Sequence, residues 1–440
     1  MHAIRAKCAK NLNGRPCSVV SVNEVLRVFT RLGLTSFGGP TAHLGYFRDE
    51  FVTRRKWMSE KEYADLVALC QFMPGPASSQ VGMAIGYRRA GYAGMLAAWI
   101  GFTLPSVVLM VAFALCIGQL GDISGAGWLA GLKAAAVAVV AQAVMGMSKS
   151  IVTDRARAAV ALAAFLVVLL VPNPLAQVGA IVLGMLAGVT LFDSTKVRGG
   201  EGAAARNASA AAAAPPAQAP AQAATQALPA EAPTTARAGS RTAGAVALAA
   251  FGALLVVLPG LARASQSTAL LIFDSFYRSG ALVFGGGHVV LPLLEQATVP
   301  TGLVDHDTCL AGYGAAQAVP GPLFTFASFL GASASGITWW WGAIVATVAI
   351  FLPAALLVIG VMPFWDRIRS HPLAAGALSG ANAAVVGILA AALYSPVFTS
   401  GITGAGTMAV AAAAFVALQK WQAPPWAVVI AAALIGQVAL

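Results

Sequence analysis

The chain has 440 residues, 58% of them hydrophobic and 10% charged, with a formal net charge of +11. Soluble domains carry about 25% charged residues, so this composition, with a mean hydropathy of +0.78, excludes an ordinary water-soluble globule. No series of short alternating strands points to a barrel, and no basic, aromatic-interleaved surface points to nucleic acid; the Lys and Arg read instead as cytoplasmic loop charge on a helical membrane protein.

Residues 1–23 carry Arg5, Lys7, Lys10 and Arg15 without an apolar core, and read as a cytoplasmic tail rather than a cleaved signal. A weak apolar segment, 24–47, contains a Phe37-Gly38-Gly39-Pro40 knot. A charged stretch with Arg54, Arg55 and Lys56 follows, and then a segment over 64–87 that contains Gln71 and Pro74-Gly75-Pro76. Spanning helices are predicted at 93–117, 126–148, 156–171 and 174–192, the last two separated by a Pro172-Asn173-Pro174 turn. Residues 196–243 are rich in Ala and Pro and poor in large apolar side chains, which makes them a flexible linker. A lone apolar segment at 244–262 precedes broken segments at 269–295 and 309–333 and further spans at 339–362, 374–395, 402–419 and 425–440.

The second half repeats the first. Phe29, Arg31, Gly33, Phe37 and Gly38 recur as Phe276, Arg278, Gly280, Phe284 and Gly285, 247 residues later (284 − 37). Gln71, Pro74, Gly75 and Pro76 recur as Gln317, Pro320, Gly321 and Pro322, 246 residues later (317 − 71). Gly and Pro at these densities break a helix, and freed backbone at membrane depth is tolerated only inside protein or beside a wet cavity. Helices broken at matching places in two halves point to a transporter's binding site.

Loop charge sets the expected topology. With a cytoplasmic N-terminus, Arg88/Arg89, Lys149/Arg155/Arg157, Arg367/Arg369 and Lys420 lie inside, whereas the loops near Asp122, Asn173 and Gly401 lie outside without Lys or Arg. The Arg54-Arg55-Lys56 loop falls inside only if the broken segments are re-entrant hairpins, and the Asp305-His306-Asp307 loop of the second half then falls outside. The expectation is therefore an all-α integral membrane protein whose two homologous halves, 24–195 and 244–440, are inverted repeats. They supply some 10–13 membrane segments, the higher count applying if every broken segment crosses fully.

Taken together, four runs resemble the chromate ion transporter family in its long, two-domain form. They are Phe37 to His43, Cys70 to Pro76, Phe284 to Glu295 and Ala311 to Phe326. The resemblance implies export of chromate across a bacterial cytoplasmic (inner) membrane, driven by the membrane potential or the proton gradient, and chromate resistance. Sulfate transport and an anion channel are the alternatives, and a homodimer is left open as a partner. The lipid bilayer is the surrounding medium.

Chromate is a tetrahedral dianion that needs N–H donors and positive potential, which helix N-termini and Gly-rich turns supply. The candidate contacts are Gly38, Gly39, Gly285 and Gly286, together with Gln71, Pro74, Gly75, Pro76, Gln317, Pro320, Gly321 and Pro322. Arg31 and Arg278 are matched across the repeat and suited to bidentate oxyanion contact, or else snorkel to headgroups. His43, Glu50, His288 and Glu295 are candidates to carry a coupling proton. Lys133, without a repeat partner, is expected to snorkel. The five Cys are scattered and read as free thiols; no His/Cys cluster has metal spacing, no phosphate-binding loop or catalytic constellation occurs, and no cofactor is called for.

Overall fold

A computed structural model describes residues 21–37, 39–120, 125–171, 174–191, 240–284, 290–365 and 372–440. Most of the predicted linker, 196–239, lies outside them, as do Gly38, Gly285, Gly286 and His288. Among the described residues the regular structure is helical, and five helical stretches are long and apolar enough to cross a membrane. Large apolar side chains such as Leu104, Val108, Leu183, Val256 and Leu434 are exposed on their outer faces. In water that surface would be costly; against lipid tails it is not.

Each broken segment is a hairpin. α1 (Val22–Thr35) and α2 (Gly39–Arg48, continued by a wider turn over Asp49–Arg54) are separated by the first glycine knot. Run on as one straight helix, Arg31 and Glu50 would stand about 28 Å apart. Instead they form a salt bridge, Arg55 reaches Glu24 at 3.1 Å, and Phe29 packs on Phe47 and Phe51 at 5.7 and 5.1 Å. The arms are thus antiparallel, with both ends at one mouth.

α3 (Glu60–Phe72) opens on a capping box: Ser59 and Glu62 each accept from the other's backbone N–H. The Pro74-Gly75-Pro76 knot ends it. The helical stretch Ala77–Leu120 that follows is interrupted by non-helical Ala90 and by Gly91, with φ +67°. It is therefore two helices, α4 (77–89) and α5 (92–120). A Cβ on Gly86 would collide with the backbone of Gly94, a contact that only a reversal of the chain allows. Arg89 returns to the mouth, its guanidinium 4.9 Å over Trp57. At about 1.5 Å per residue α4 is only some 20 Å long, short of a membrane crossing, whereas α5 exceeds 40 Å.

The second half repeats this construction in α10 (Thr268–Leu282), α11 (Val290–Thr298), α12 (His306–Ala318) and α13 (Phe326–Ser333, entered through a 3₁₀ turn at Leu323–Thr325). Asp305 caps α12 at the position matching Ser59. The Ser335 N–H bonds the Leu303 carbonyl at 2.9 Å, which closes the second mouth where Trp57 and Arg89 close the first. α14 (Trp339–Val361) corresponds to α5.

The halves are inverted. α5 leaves the first mouth, passes the knots at Ser106, and continues alongside α13, where Phe113 meets Phe329 at 5.7 Å. Beyond Ala354, α14 in turn joins the core of the first hairpins, with Leu357, Val358 and Val361 packed among Val25, Val28, Leu66 and Cys70. Each long helix thus runs from its own mouth towards the other.

The remaining helices exchange partners. They are α6 (Gly127–Ile151), α7 (Arg155–Leu170) and α8 (Pro174–Leu191) in the first half, and α15 (Pro372–Ala392), α16 (Ala405–Gln419) and α17 (Pro425–Ala439) in the second; α9 (Arg241–Ser265) joins the halves. α15 lies on α7 and α8 through Gly387 on Ala161, Gly380 on Gly184 and Gly376 on Gly188. α6 lies on α17 through Gly131 on Ala432 and Gly127 on Gly436. Small residues let these backbones touch, the usual means of helix association in lipid.

Candidate functional site

The two Pro-Gly-Pro knots meet at the centre, and each is held by the other half. The Gly75 N–H donates to the Val283 carbonyl at 2.7 Å, and the Gly321 N–H donates to the Ser36 carbonyl at 2.9 Å. Val283 and Ser36 are themselves repeat equivalents, so the pair of bonds obeys the inverted symmetry. Both glycines have positive φ, +118° and +94°. A side chain is strained there, and at Gly321 a Cβ would also run into the Ser106 hydroxyl, which donates to the Pro320 carbonyl.

His43 stands behind this contact. It is fully buried, edge-on to Phe102, with Nε2 3.2 Å from the Ser36 carbonyl and Nδ1 3.4 Å from the Ser78 hydroxyl. Since Nε2 faces a carbonyl it carries the hydrogen, which leaves Nδ1 to accept. The Ser36 carbonyl therefore receives both the Gly321 amide and the imidazole.

A cavity of about 300 Å³ opens beside the second knot. Its lining includes Gly39, Val139, Gln142, Ala316, Gln317, Gly321, Leu323, Leu418, Gln422 and Pro425, with no charged residue among the described residues. Three helices begin at this lining: α2 at Gly39, the turn into α13 at Leu323, and α17 at Pro425. A helix N-terminus carries about half a positive charge and unpaired N–H groups. Two helices end there, α12 at Ala316 and Gln317 and α16 at Leu418. Three N-termini thus stand against two C-termini, and no described lining residue is a cation. The Gln317 side-chain nitrogen is buried without a partner, and the Gln142 nitrogen donates at 3.3 Å to the Leu418 carbonyl. Gln422 is held at φ +52° in the turn between α16 and α17, a conformation costly for a residue with a side chain.

The structure brings Gly39, Gln317, Pro320, Gly321 and Pro322 to or beside this cavity, and Pro74, Gly75 and Pro76 to the facing knot. Gln71 is exposed, away from the cavity lining. Arg31 is half-exposed and paired with Glu50, whose carboxylate is buried and also takes Arg55 at 2.6 Å. Arg278 pairs at 2.7 Å with buried Asp274, one turn back on its own helix. Glu295 is buried and bonded to His306 at 3.0 Å. Gly38, Gly285, Gly286 and His288 fall outside the described residues. Lys133 does not snorkel: it is nearly buried and bonds Asp307 across the halves at 2.6 Å. Sequence reasoning did not single out Gln142, Gln422, Ser106 or the Lys133–Asp307 pair. Ser106 alone left a trace, following the proline that recurs as Pro353.

The family model for chromate transporters matches this sequence twice, over residues 23–189 and 270–437. The chain belongs to the chromate transporter family. The two matches coincide with the two inverted halves and stop short of α9 and the segment before it. The chain is 29% identical over 389 residues to a chromate transport protein of Pseudomonas aeruginosa, covering 84% of this chain and 80% of that one. It is 24% identical over 382 residues to a chromate transport protein of Cupriavidus metallidurans, covering 85% and 82%. A probable chromate transport protein of Synechococcus elongatus is 24% identical over 397 residues, covering 85% and 84%. No solved structure matches. Family membership makes the chain a multi-pass membrane transporter, and the fold agrees. Among the described residues, no three His, Cys, Asp or Glu side chains are grouped to hold a metal ion, and Cys70, Cys116 and Cys309 are free thiols.

Proposed function

We propose that the protein is a secondary transporter that exports chromate across the bacterial inner membrane and so confers chromate resistance, with its N-terminus in the cytoplasm. The observation that carries this reading is the cavity, with no charged residue among its described lining, on which three helix N-termini, the unpartnered amide of Gln317 and the amide of Gln142 converge. A tetrahedral dianion matches such a site. Its oxygens accept from N–H groups on several sides, and no fixed countercharge holds it too tightly to leave. The side-chain amides of Gln317 and Gln142 and the backbone of Gly39 make the contacts, together with Gly38, Gly285 and Gly286 of the glycine knots, while Gly321, its N–H held by Ser36, shapes the wall. The Pro-Gly-Pro sets act as hinges between the halves.

The similarity to proteins named for chromate transport supports the substrate, and the charge of the two mouths supports the orientation. The first mouth carries Arg54, Arg55, Lys56 and Arg89; the second carries Asp305 and Asp307. A basic inner mouth collects a dianion, and an acidic outer mouth disfavours its return. Arg31 and Arg278 serve this collection from within their ion pairs. His43, Glu50 and Glu295 are buried titratable groups available for coupling, alongside the Arg278-paired Asp274, with His288 outside the described residues.

Everted vesicles test the reading. Labelled chromate is expected to accumulate, to be lost on addition of an uncoupler, and to be displaced only weakly by sulfate. Accumulation of sulfate in preference to chromate would make this a sulfate carrier, and uptake indifferent to the uncoupler would make it a channel.

A further inference from the structure

A second cavity, of about 150 Å³, lies between α8, α11 and the end of α15. Besides Ser395, three polar side chains line it: Gln177, Glu295 and Gln296. Each has a buried atom without a hydrogen-bond partner, namely Gln177 Nε2, Glu295 Oε2 and Gln296 Oε1. Gln177 and Glu295 are only 1% and 5% exposed. Buried polar atoms in native proteins are almost always satisfied, and an unpaired carboxylate oxygen is the costliest kind to leave bare. Three such atoms on one cavity mean that the cavity is wet. Two acceptors and one donor are the complement of a water molecule, which accepts one bond and donates two. At about 30 Å³ each the space admits several waters. α15 is also broken here. Ser395 is non-helical, and Pro396, which has no N–H to donate, stands in a wider turn over Leu393–Phe398.

The other carboxylate oxygen, Glu295 Oε1, is 3.0 Å from His306 Nδ1. His306 is 30% exposed at the second mouth and opens α12. The Glu295–His306 pair thus has water on one side and the mouth on the other. Among the described residues the charged and titratable neighbours come from two elements: Asp305, Asp307 and the buried thiol Cys309 at the start of α12, and Lys133 of α6, which bonds Asp307. The cavity walls from α8 and α15 add only neutral residues.

We propose that Glu295 and His306 share one exchangeable proton that drives transport, and that this site is separate from the anion cavity. Water on Glu295 Oε2 and the mouth beside His306 both open the pair to the second-mouth side, since the cavity walls flank the loops near Asn173 and Gly401. The proton leaves one bulk phase, resides on the pair, and passes to the other phase; no bond other than N–H or O–H is made or broken. α12 carries the coupling. Its first residue is His306, and its last turn supplies Ala316 and Gln317 to the anion cavity about 18 Å away. A change of charge at one end of this rigid helix acts on the Gln317 amide at the other. The inference rests on the transporter reading above, and the two can fail separately.

The full-length protein in proteoliposomes separates them. Exchange of labelled for unlabelled chromate at equal pH needs the anion cavity but no net proton movement; accumulation driven by an imposed pH gradient needs both. Glu295→Gln and His306→Gln are expected to keep exchange within about twofold of wild type while losing at least about tenfold of gradient-driven accumulation and its pH dependence. Gln177→Leu dries the cavity, and is expected to keep exchange and slow the gradient-driven phase several-fold. Wild-type accumulation by Glu295→Gln overturns the proposal. So does loss of exchange in both Glu295→Gln and His306→Gln, which would put the pair on the anion's path. Substitution of a sodium gradient for the pH gradient in the wild type would likewise overturn it, by making the second cavity an alkali-cation site. Absence of chromate exchange in the wild type defeats the transporter reading instead.

Discussion

The two Pro-Gly-Pro knots have the same backbone and different surroundings. Each glycine sits at positive φ, and each donates its N–H to the carbonyl at the end of the other half's first hairpin arm. Yet the second knot has Ser106 beside it where the first has Ala354. Gln317 of the second faces a cavity, while its equivalent Gln71 is exposed. Gln142 lines that cavity where the matching position in the other half, Ile388, is apolar and buried. Duplication accounts for the scaffold: two hairpin pairs entering from opposite sides must meet at their tips, and the tips must have a conformation only glycine accepts easily. Side-chain chemistry then departs from symmetry on one side only. The cavity beside the second knot is thus served unequally by the two halves.

The strongest test of this inequality is at the glycines themselves. Gly321→Ala puts a Cβ into the Ser106 hydroxyl and close to the Phe102 carbonyl, besides straining φ. Chromate uptake in vesicles at matched protein amounts is expected to fall below about a tenth of wild type. At Gly75, with φ at +118°, the nearest obstacle is a side chain rather than backbone, the Gln80 amide at 2.9 Å that bonds the Pro74 carbonyl, with Ala354 at an ordinary 3.6 Å. Gly75→Ala is therefore expected to keep a measurable share of activity. Equal loss at both positions would restore full symmetry to the knots.

The glutamines come next. Gln317→Leu removes an amide that the anion would otherwise receive. With a bond to a charged group contributing about 1.5–3 kcal/mol, the half-saturation concentration is expected to rise roughly 10- to 150-fold. Gln71→Leu should change it less than about twofold. A smaller contrast is expected between Ser106→Ala, which leaves the Pro320 carbonyl without its hydroxyl donor at a cost of about 1 kcal/mol, and the reverse change Ala354→Ser. Thermal unfolding in detergent would show the first as a lowered midpoint and the second as nearly neutral.

The arginines should matter least for affinity. Arg31 and Arg278 are already paired with Glu50 and Asp274, so Lys at either position is expected to shift half-saturation by under about threefold. A rise of tenfold or more in both Lys variants would mean that the guanidiniums leave their carboxylates to hold the anion. Labelling perturbs the protein still less: in a background without the native cysteines, a Cys at Thr53 should react only from the cytoplasm and one at Thr301 only from outside. Reaction of both from one side would undo the opposed mouths on which the whole comparison stands.

The sequence alone was informative about everything that repeats or has local physics. The duplicated Gly and Pro runs marked the breaks, the low charge content marked the bilayer, and the sign of the loop residues called for hairpins that return to their own side. The polar residues Ser59 and Asp305, set just before apolar segments, are the caps of α3 and α12. What it could not supply were contacts between parts of the chain far apart in number. Lys133 meets Asp307 across 174 positions and Ser106 meets Pro320 across 214. Gln142 and Gln422 line one cavity with Gly39 only because α6 and the α16–α17 turn are packed against hairpin tips of both halves. A helical pattern with a period of 3.6 residues tells which face of a helix is buried; it does not tell which distant helix covers that face. In an intertwined inverted repeat some of those partners lie in the other half, and only the tertiary structure decides which polar side chains end up sharing water.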